Sequence, residues 1–465
     1  MIDLKQLREN PDRYRIGAER KNVAVDIDRL LELDSERRAL MSETESLRAE
    51  QKRLAKESGP QLGKLSGALK KATESERPAI EAEIEALKQG PAKLKAQVQS
   101  GEERLGDVEP QLRALLLEVP MPPDDDVPVG AGSDDNIERS RWCPSNFNFK
   151  RSFESQRGFA PKSHVEIAES LGLVDFERGV KLAGSRSYAL TGDGMRLHQA
   201  VLRYAFDTMV ETHGFEPVSV PVVVREEAMV GTGFFPGGRE QTYHIEETRR
   251  GTGQDLFLTG TGEVGLMGFH ASEILDASSL PRKYVTVSTC FRREAGAAGR
   301  DTAGLYRVHK FDKVEQVVIC RADEGESRAW HAKMIGYVEG LLRALELPYR
   351  LLQCCTGDLG VKNADMIDIE CWMPSRGELD AGGAPVGAFG ETHSASRLYD
   401  FQCRRLNMRY RGDDGETVFC HSLNNTVAAS PRLLIPLLEM HQQQDGRVAI
   451  PEPLRAYMGG RTHIG

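Results

Sequence analysis

The chain lacks the residues and motifs that define several common protein classes. Its eight cysteines form no Cys-x-x-Cys pair, which argues against a zinc or dithiol site and favours a reducing compartment. The first residues, Met1–Lys5, do not begin an apolar signal core, and no apolar run approaches membrane-spanning length. The P-loop patterns GxxxxGKS and GxxxxGKT are absent as well. We therefore expect a cytoplasmic protein with no membrane partner.

Charge and length narrow the class further. The formal charge is −9, from 61 basic and 70 acidic residues, which argues against a protein that coats nucleic acid along its whole surface. A local basic patch is still compatible with this total. A hydrophobic content of 40% supports a folded core, and 465 residues are enough for two or three domains.

Two N-terminal stretches, residues 30–54 and 80–115, carry apolar residues at alternating spacings of three and four. Sustained spacing of this kind, with charged residues on the other faces, predicts two coiled-coil helices. Joined near residues 58–73, they would fold back as an antiparallel arm of about 60 Å. Pro91 and Gly101 occupy seam positions of the second helix and are expected to bend or loosen it.

The outer part of this arm is basic, because no acidic residue occurs between Ser58 and Thr73. Such a surface can follow a phosphate backbone. Interleaved glutamates such as Glu50 and Glu57 also fit an ordinary solvated helix face. The candidate nucleic-acid contacts are Arg48, Lys52, Arg53, Lys56, Lys64, Lys70 and Lys71.

The helical period ends near residue 119. Proline, aspartate, glycine and asparagine residues over 119–160 indicate a linker. Short β-like runs then mix with amphipathic helices over 161–465 without regular β-α alternation, which predicts an α+β domain on an antiparallel sheet. The predicted organisation is an N-terminal domain over 1–118, whose arm occupies 27–118, followed by the linker and the α+β domain.

Residues 290–315 are the most informative stretch of the chain. Arg292 and Glu294 precede a loop rich in Gly and Ala, and the chain returns through Phe311 to Glu315. The pattern indicates two strands joined by a basic loop. Such a hairpin can hold a guanidinium against a phosphate, an aromatic face against a base, and a carboxylate against an amine or hydroxyl. An enzyme that adenylates an amino acid needs all three.

Two further segments carry chemistry that matches this hairpin. Thr261 and Glu263 lie two residues apart, which places them on one face of an extended segment. Asn424 and Thr426 precede Arg432, which opens an apolar helix. Each fragment alone is more often a turn or a surface residue, so only their combination with the hairpin is informative.

In this order the segments resemble the seryl-tRNA synthetases, a family of class II aminoacyl-tRNA synthetases. The resemblance covers essentially the whole chain, including the opening Met1–Pro11 and the arm. Residues 214–221 are similar to class II motif 1, residues 292–315 to motif 2 and residues 424–439 to motif 3. The fold implied is a class II catalytic domain on an antiparallel sheet, preceded by the coiled-coil arm.

The resemblance implies a ligase that activates L-serine with ATP and transfers the seryl group to the 3′ end of serine tRNA. Whether selenocysteine tRNA is a second acceptor stays open. Arg292 would be the catalytic residue, since its planar fork suits both the serine carboxylate and the α-phosphate. It would also bind ATP, together with Arg293, Glu294, Val308, His309, Lys310, Phe311, Glu391, Thr392, His393, Ser394 and Arg432.

By the same resemblance Thr261 and Glu263 would hold the ammonium group of serine, and Glu315 would accept its hydroxyl. The full set of serine-binding positions implied is Thr261, Glu263, Arg292, Glu315, Asn424 and Thr426. Mg²⁺ would be held by Glu391 and Ser394, whose oxygen atoms suit this ion. The arm would grip the long variable arm of serine tRNA, and motif 1 implies a homodimer.

Several positions depart from the usual family text. Gly262 stands where Ser or Ala is usual, His393 where Ser or Thr is usual, Arg397 where Asn is usual, and Lys310 where Gln is common. These departures leave open an active paralogue that supplies seryl-tRNA or an activated seryl group to a secondary-metabolite or resistance pathway. A non-enzymatic interaction protein that uses its coiled coil is the third interpretation, and the intact motif 2 residues argue against it.

Overall fold

The computed structural model describes residues 1–251, 253–296, 303–379, 383 and 385–465. The Gly/Ala-rich turn of the predicted hairpin falls partly at 297–302, outside the described residues. The chain divides into two compact units, one formed by Met1–Val23 with Pro120–Gly465 and the other by Ala24–Val119. The first 23 residues therefore pack with the larger unit, although the sequence prediction grouped them with the arm.

The chain begins with two helices of the larger unit, α1 (Leu4–Glu9) and α2 (Pro11–Arg20). The smaller unit is an antiparallel pair of long helices, α3 (Ile27–Leu69) and α4 (Arg77–Glu118), as the coiled-coil pattern predicts. The connection lies at residues 70–76, slightly beyond the predicted joint.

The seam of this pair is closely packed where the sequence has a glycine. A Cβ added to Gly101 would lie 2.5 Å from the hydroxyl oxygen of Thr44, which is itself buried in the seam. Glycine therefore allows the two backbones to approach each other at this level. Helix α4 continues through Pro91 and Gly101 as one uninterrupted helix.

The larger unit is organised around an eight-stranded sheet. Numbered along the chain, its strands are β1 (Ile137–Trp142), β2 (Glu216–Pro217), β3 (Arg282–Phe291), β4 (Lys310–Cys320), β5 (Tyr349–Gln353), β6 (Asp365–Met373), β7 (Ala388–Tyr399) and β8 (His421–Ser430). Their order across the sheet is β1-β5-β6-β7-β8-β4-β3-β2. All neighbours are antiparallel except β2 and β3, which are parallel.

Three helices cover one face of this sheet and bury its apolar residues: α5 (Gly192–Asp207), α6 (Glu324–Ala344) and α7 (Leu434–His441). A π-helical turn, Thr208–Thr212, extends α5. Shorter helices occur at Phe153–Arg157, His164–Ser170, Phe176–Ala183, Glu226–Gly231, Glu263–Gly268, Phe401–Arg405 and Glu452–Arg455. Shorter strands occur at Val174–Asp175, Ala189–Leu190, Val223–Arg225, Tyr243–Ile245, Leu256–Leu258, Ile274–Asp276, Arg409–Arg411, Thr417–Phe419, Val448–Ala449 and His463–Ile464.

The segment 119–160, which the sequence predicts as a linker, contributes to this architecture. Strand β1 forms one edge of the sheet and pairs with β5. Its side chains are mostly exposed, so it lacks the apolar alternation by which a strand is usually recognised. In the described part of the chain, no helix combines the length and apolar character needed to cross a membrane.

Candidate active site

A cavity of about 340 Å³ lies against the sheet and brings most of the predicted site residues together. Those that line it are Thr261, Glu263, Arg292, Glu294, Val308, Phe311, Glu315, Glu391, Thr392, His393, Ser394, Asn424, Thr426 and Arg432. They come from motif 2, motif 3 and two other segments that are distant in sequence. Antiparallel pairing places them side by side.

Strand periodicity explains which side chains of β4 face the cavity. Phe311, Lys313 and Glu315 alternate along the strand and all line the cavity. Gln316 points to the other face, where its amide donates to the carbonyl oxygen of Met334 in α6. On the neighbouring strand β8, Asn425 likewise donates to this carbonyl, whereas Asn424 and Thr426 line the cavity.

Arg292 follows directly after β3, at the mouth of the hairpin. Its backbone N–H donates to the carbonyl of His309 at 2.9 Å, and its Nε donates to the carbonyl of Gly260 at 3.3 Å. Glu294 has a left-handed backbone (φ 53°), which is uncommon for a residue other than glycine. Its Oε2 accepts a hydrogen bond of 3.1 Å from Arg307. The hairpin therefore fixes a cation and a carboxylate at one end of the cavity.

The cavity contains two buried carboxylates, and each is paired with a lysine whose role no sequence motif indicates. Glu263 is bonded to Lys362, with 2.5 Å between Oε1 and Nζ, and Glu315 is bonded to Lys313. Burial raises the pKa of Glu315, while Lys313 opposes this shift. Burial lowers the pKa of Lys362, while Glu263 opposes that shift. The pairing keeps charged groups inside a pocket where a lone charge would be costly.

Arg432 also lines the cavity, between the end of β8 and the start of α7. Its Nε donates to the carbonyl of Tyr306 at 3.1 Å, and its guanidinium carbon is 4.6 Å from the Tyr306 ring centroid. Another guanidinium nitrogen donates to the carbonyl of Glu391 at 3.2 Å. Tyr306 thus holds the Arg432 side chain in place, a role that no sequence motif indicates.

Strand β7 presents oxygen atoms to the cavity through Glu391 and Ser394. Ser394 lies opposite Asp368 in the register of β6 and β7. Burial and, after it, the neighbouring Glu391 raise the pKa of Asp368. The Cys354 sulfur and one carboxylate oxygen each of Asp358 and Asp368 lie within 4.8 Å of one another. The crowding of acidic groups next to this strand therefore favours the protonated form of Asp368.

The side chains of Thr392 and His393, between Glu391 and Ser394, form hydrogen bonds within the protein. The Thr392 hydroxyl donates to the carbonyl of Ile369 at 3.1 Å, and Nδ1 of His393 lies 2.8 Å from the same hydroxyl. Burial lowers the pKa of His393 to about 3. The histidine at this position is thus a neutral, buried side chain.

Three predicted ATP residues are placed elsewhere. His309 and Lys310 line a second cavity of about 460 Å³, in which Lys310 pairs with Asp312 at 2.6 Å. Arg293 is exposed and its backbone N–H donates to the carbonyl of Gln241 at 3.0 Å. None of the three is among the residues that line the first cavity.

Two departures from the usual family sequence, Gly262 and Arg397, have a structural reason. A Cβ at Gly262 would lie 2.5 Å from a methyl carbon of Thr286 and 2.9 Å from the hydroxyl oxygen of Ser288, so the local packing leaves room only for glycine. Arg397 is buried and pairs with Asp124 and, at 3.1 Å, with Asp365.

Residues 260–265 also spell GxGxxG between a strand and a helix, the letter pattern of a dinucleotide-binding turn. The strand before it, Leu256–Leu258, is antiparallel to both of its partners, so no βαβ unit is formed here. A Rossmann nucleotide site is thereby excluded at this turn.

The predicted nucleic-acid contacts lie on the smaller unit. Lys52, Lys56, Lys64, Lys70 and Lys71 are exposed. Arg48 pairs with Glu102 across the two helices, and Arg53 lies 3.3 Å from Glu57. The basic outer part of the arm is thus accessible along one end of the helix pair.

Comparison with known proteins assigns the chain to a family. Residues 1–123 match the seryl-tRNA synthetase N-terminal domain, and residues 243–441 match the tRNA synthetase class II core domain (G, H, P, S and T). The serine–tRNA ligase of Deinococcus radiodurans is 43% identical over 466 residues, with 100% of this chain and 99% of that protein covered. The chain belongs to the seryl-tRNA synthetase family. The serine–tRNA ligase of Thermomicrobium roseum is 40% identical, with 100% and 95% covered.

Solved structures of seryl-tRNA synthetases have the same fold. The enzyme of Pyrococcus horikoshii complexed with ATP has a TM-score of 0.83 at 35% identity, covering 100% of this chain and 99% of that one. The cytoplasmic serine–tRNA ligase of Naegleria fowleri in complex with AMP has a TM-score of 0.78 at 29% identity, covering 98% and 95%. The expected class II fold and family are confirmed, and these relatives give no support to the specialised paralogue.

Proposed function

We propose that this member of the seryl-tRNA synthetase family activates L-serine with ATP in the first cavity and transfers the seryl group to serine tRNA. The observation that carries the assignment of the site is the meeting of Arg292, Phe311, Glu263 and Glu315 in that one cavity. A guanidinium, an aromatic face and two carboxylates are the groups that the two substrates require.

In the first step an oxygen of the serine carboxylate attacks the α-phosphorus of ATP. The bond from that phosphorus to the bridging oxygen breaks, and pyrophosphate leaves. Arg292 binds the attacking carboxylate and the α-phosphate together, which aligns them and offsets the charge that develops on the phosphate oxygens. Phe311 and Arg432 hold the adenine ring between them, and Glu294 accepts from its amino group.

Recognition of serine depends on hydrogen bonds, because the side chain is too small for selection by bulk. Thr261 and Glu263 bind the ammonium group, and Glu315 accepts a hydrogen bond from the serine hydroxyl. Asn424 and Thr426 complete the pocket. An amino acid without the hydroxyl leaves this buried acceptor without a hydrogen bond, which costs binding free energy. Alanine is therefore bound more weakly than serine.

The residues at the phosphate end fit a magnesium ion. Glu391 and Ser394 offer hard oxygen ligands, and the carboxyl group of Asp368 lies opposite Ser394 in the strand register. Glu391 and Ser394 would hold the ion. When bound, the ion would neutralise charge on the phosphates. In the second step a terminal ribose hydroxyl of the tRNA attacks the seryl carbonyl carbon, and AMP leaves. We assign no protein base to this step.

The exposed basic residues of the arm bind the backbone of the long variable arm of serine tRNA, recognising mainly shape. The assembly is a homodimer through motif 1. The site of action is the cytoplasm, and the eight free cysteines fit a reducing compartment.

Serine-dependent exchange of pyrophosphate into ATP tests the first step, and charging of serine tRNA with and without its long variable arm tests the second. We expect exchange with serine and charging only of the intact tRNA. An Arg292→Ala variant should lose exchange. Folded wild-type protein that exchanges nothing would refute the function, and activation without charging would point to another seryl acceptor.

A further inference from the structure

The lysine paired with Glu263 is placed where it can act on substrate recognition. Lys362 lines the cavity, and its ammonium group lies 4.1 Å from the ring centroid of Phe234. The Lys362 side chain is 14% exposed and that of Glu263 is 4% exposed. Two charges buried to this extent lose most of their hydration, and only a close ion pair with good geometry offsets that cost. The contact is therefore a defined one, in contrast to a surface ion pair.

Both donors to Glu263 bind the same carboxylate oxygen. Oε1 accepts from Nζ of Lys362 at 2.5 Å and from Nε2 of Gln402 at 2.6 Å. Gln402 is itself fixed, because it donates to the carbonyl of Thr232 and accepts from the Ser422 hydroxyl. Among the described residues, the hydrogen bonds and the ion pair of the Glu263 side chain all go to Oε1. Oε2 is the oxygen left to accept a substrate ammonium group.

The backbone that carries Lys362 is held from several sides. Nζ of Lys21 donates to the carbonyls of Gly360, at 2.9 Å, and Asn363, at 2.5 Å. The N–H of Met121 donates to the carbonyl of Val361 at 2.8 Å. A residue whose backbone and ammonium group are both fixed can orient a neighbouring carboxylate at little further entropic cost.

We propose that Lys362 is a positioning residue for serine: it fixes Oε1 of Glu263 so that Oε2 accepts the α-ammonium group. This inference rests on the proposed function of the cavity. If the ion pair served only the stability of the fold, its removal would not act selectively on serine. If Lys362 instead competed with the substrate for Glu263, its removal would strengthen serine binding.

Pyrophosphate exchange with Lys362→Met and Lys362→Ala separates these roles. Loss of a partner from a buried ion pair is severe, so we expect the KM for serine to rise about tenfold or more. The KM for ATP and the kcat at saturating serine should stay within about twofold, since Glu263 is assigned no contact with ATP. Methylammonium added to Lys362→Ala should restore part of the serine affinity. Lys333→Met, at an exposed lysine of α6, should match the wild type.

A second variant guards against misfolding. Lys21→Met keeps the Lys362 ammonium group but releases the turn that carries it, and it should raise the KM for serine about threefold in the same selective way. An unchanged or lower KM for serine in the Lys362 variants, or equal rises in the KM for serine and ATP, would overturn the proposal. Absence of serine-dependent exchange in the wild type would overturn the proposed function itself, and the role of Lys362 would fall with it.

Discussion

The guanidinium of Arg292 lies over the ring of Phe311, with 5.3 Å between its carbon Cζ and the ring centroid. Phe311 belongs to β4 and is opposite Cys290 of β3, and Arg292 directly follows β3. Phe311 is also the ring on which we propose that adenine stacks. The guanidinium of Arg292 and the ring proposed to hold adenine are therefore direct neighbours in one hairpin.

Replacing Phe311 by leucine should weaken ATP binding, because the flat face for adenine is removed. Base stacking on an aromatic side chain contributes about 1–3 kcal/mol, so the KM for ATP should rise about tenfold. The KM for serine should change little. Pyrophosphate exchange at saturating serine measures the effect. Phe269→Leu is the matched control, since Phe269 is 55% exposed and outside the residues that line the cavity. An unchanged KM for ATP would contradict the stacking role.

Glu315→Gln should reduce the preference of the enzyme for serine over alanine. Hydrogen bonds to charged groups contribute about 1.5–3 kcal/mol, which corresponds to a loss of discrimination of about 10- to 150-fold. The ratio of kcat/KM for the two amino acids in pyrophosphate exchange measures this. Thr417→Val, at an exposed residue of a short strand, should leave the ratio unchanged. A Glu315 variant that keeps the wild-type ratio would refute the assignment of the hydroxyl acceptor.

The sequence predicts those parts of this molecule that depend on local periodicity or on a contiguous motif. The 3–4 spacing of apolar residues predicts α3 and α4, and the return of the chain through Phe311 to Glu315 predicts the second strand of a hairpin. Pairing across distant segments has no such local signal. Lys362 and Tyr306 reach the cavity only through the order of the strands. Strand β1 escapes prediction because its edge position leaves its side chains mostly exposed.

His393 should make the stability of the protein depend on pH below neutrality. Burial lowers its pKa to about 3, whereas a histidine in the unfolded chain titrates near about 6.5. Between these values the unfolded chain binds the proton and the folded protein does not, so stability falls as the pH falls. The slope reaches about 1.4 kcal/mol per pH unit for this one group.

The His393→Asn variant places a side-chain amide next to Thr392 and removes the titrating ring. Its urea midpoint should fall less steeply than that of the wild type between pH 6.5 and pH 4.5, values chosen to lie inside the window of about 3 to 6.5. Parallel curves for the two proteins would show that the buried histidine takes up a proton without loss of the fold.

The triple change Lys64→Ala, Lys70→Ala and Lys71→Ala should weaken tRNA binding and leave serine activation intact. These exposed residues are in or next to the outer part of the helix pair, and removing one lysine–phosphate interaction should lower the log–log salt slope of binding by about 1. Charging assays should therefore show a KM for serine tRNA that rises about tenfold at low salt, with unchanged pyrophosphate exchange. The matched control removes Lys150, Lys181 and Lys333, three exposed lysines of the larger unit, with the same change in net charge. Equal weakening in both triple variants would mean that net charge alone sets the affinity, and the outer arm would then have no specific part in holding the tRNA.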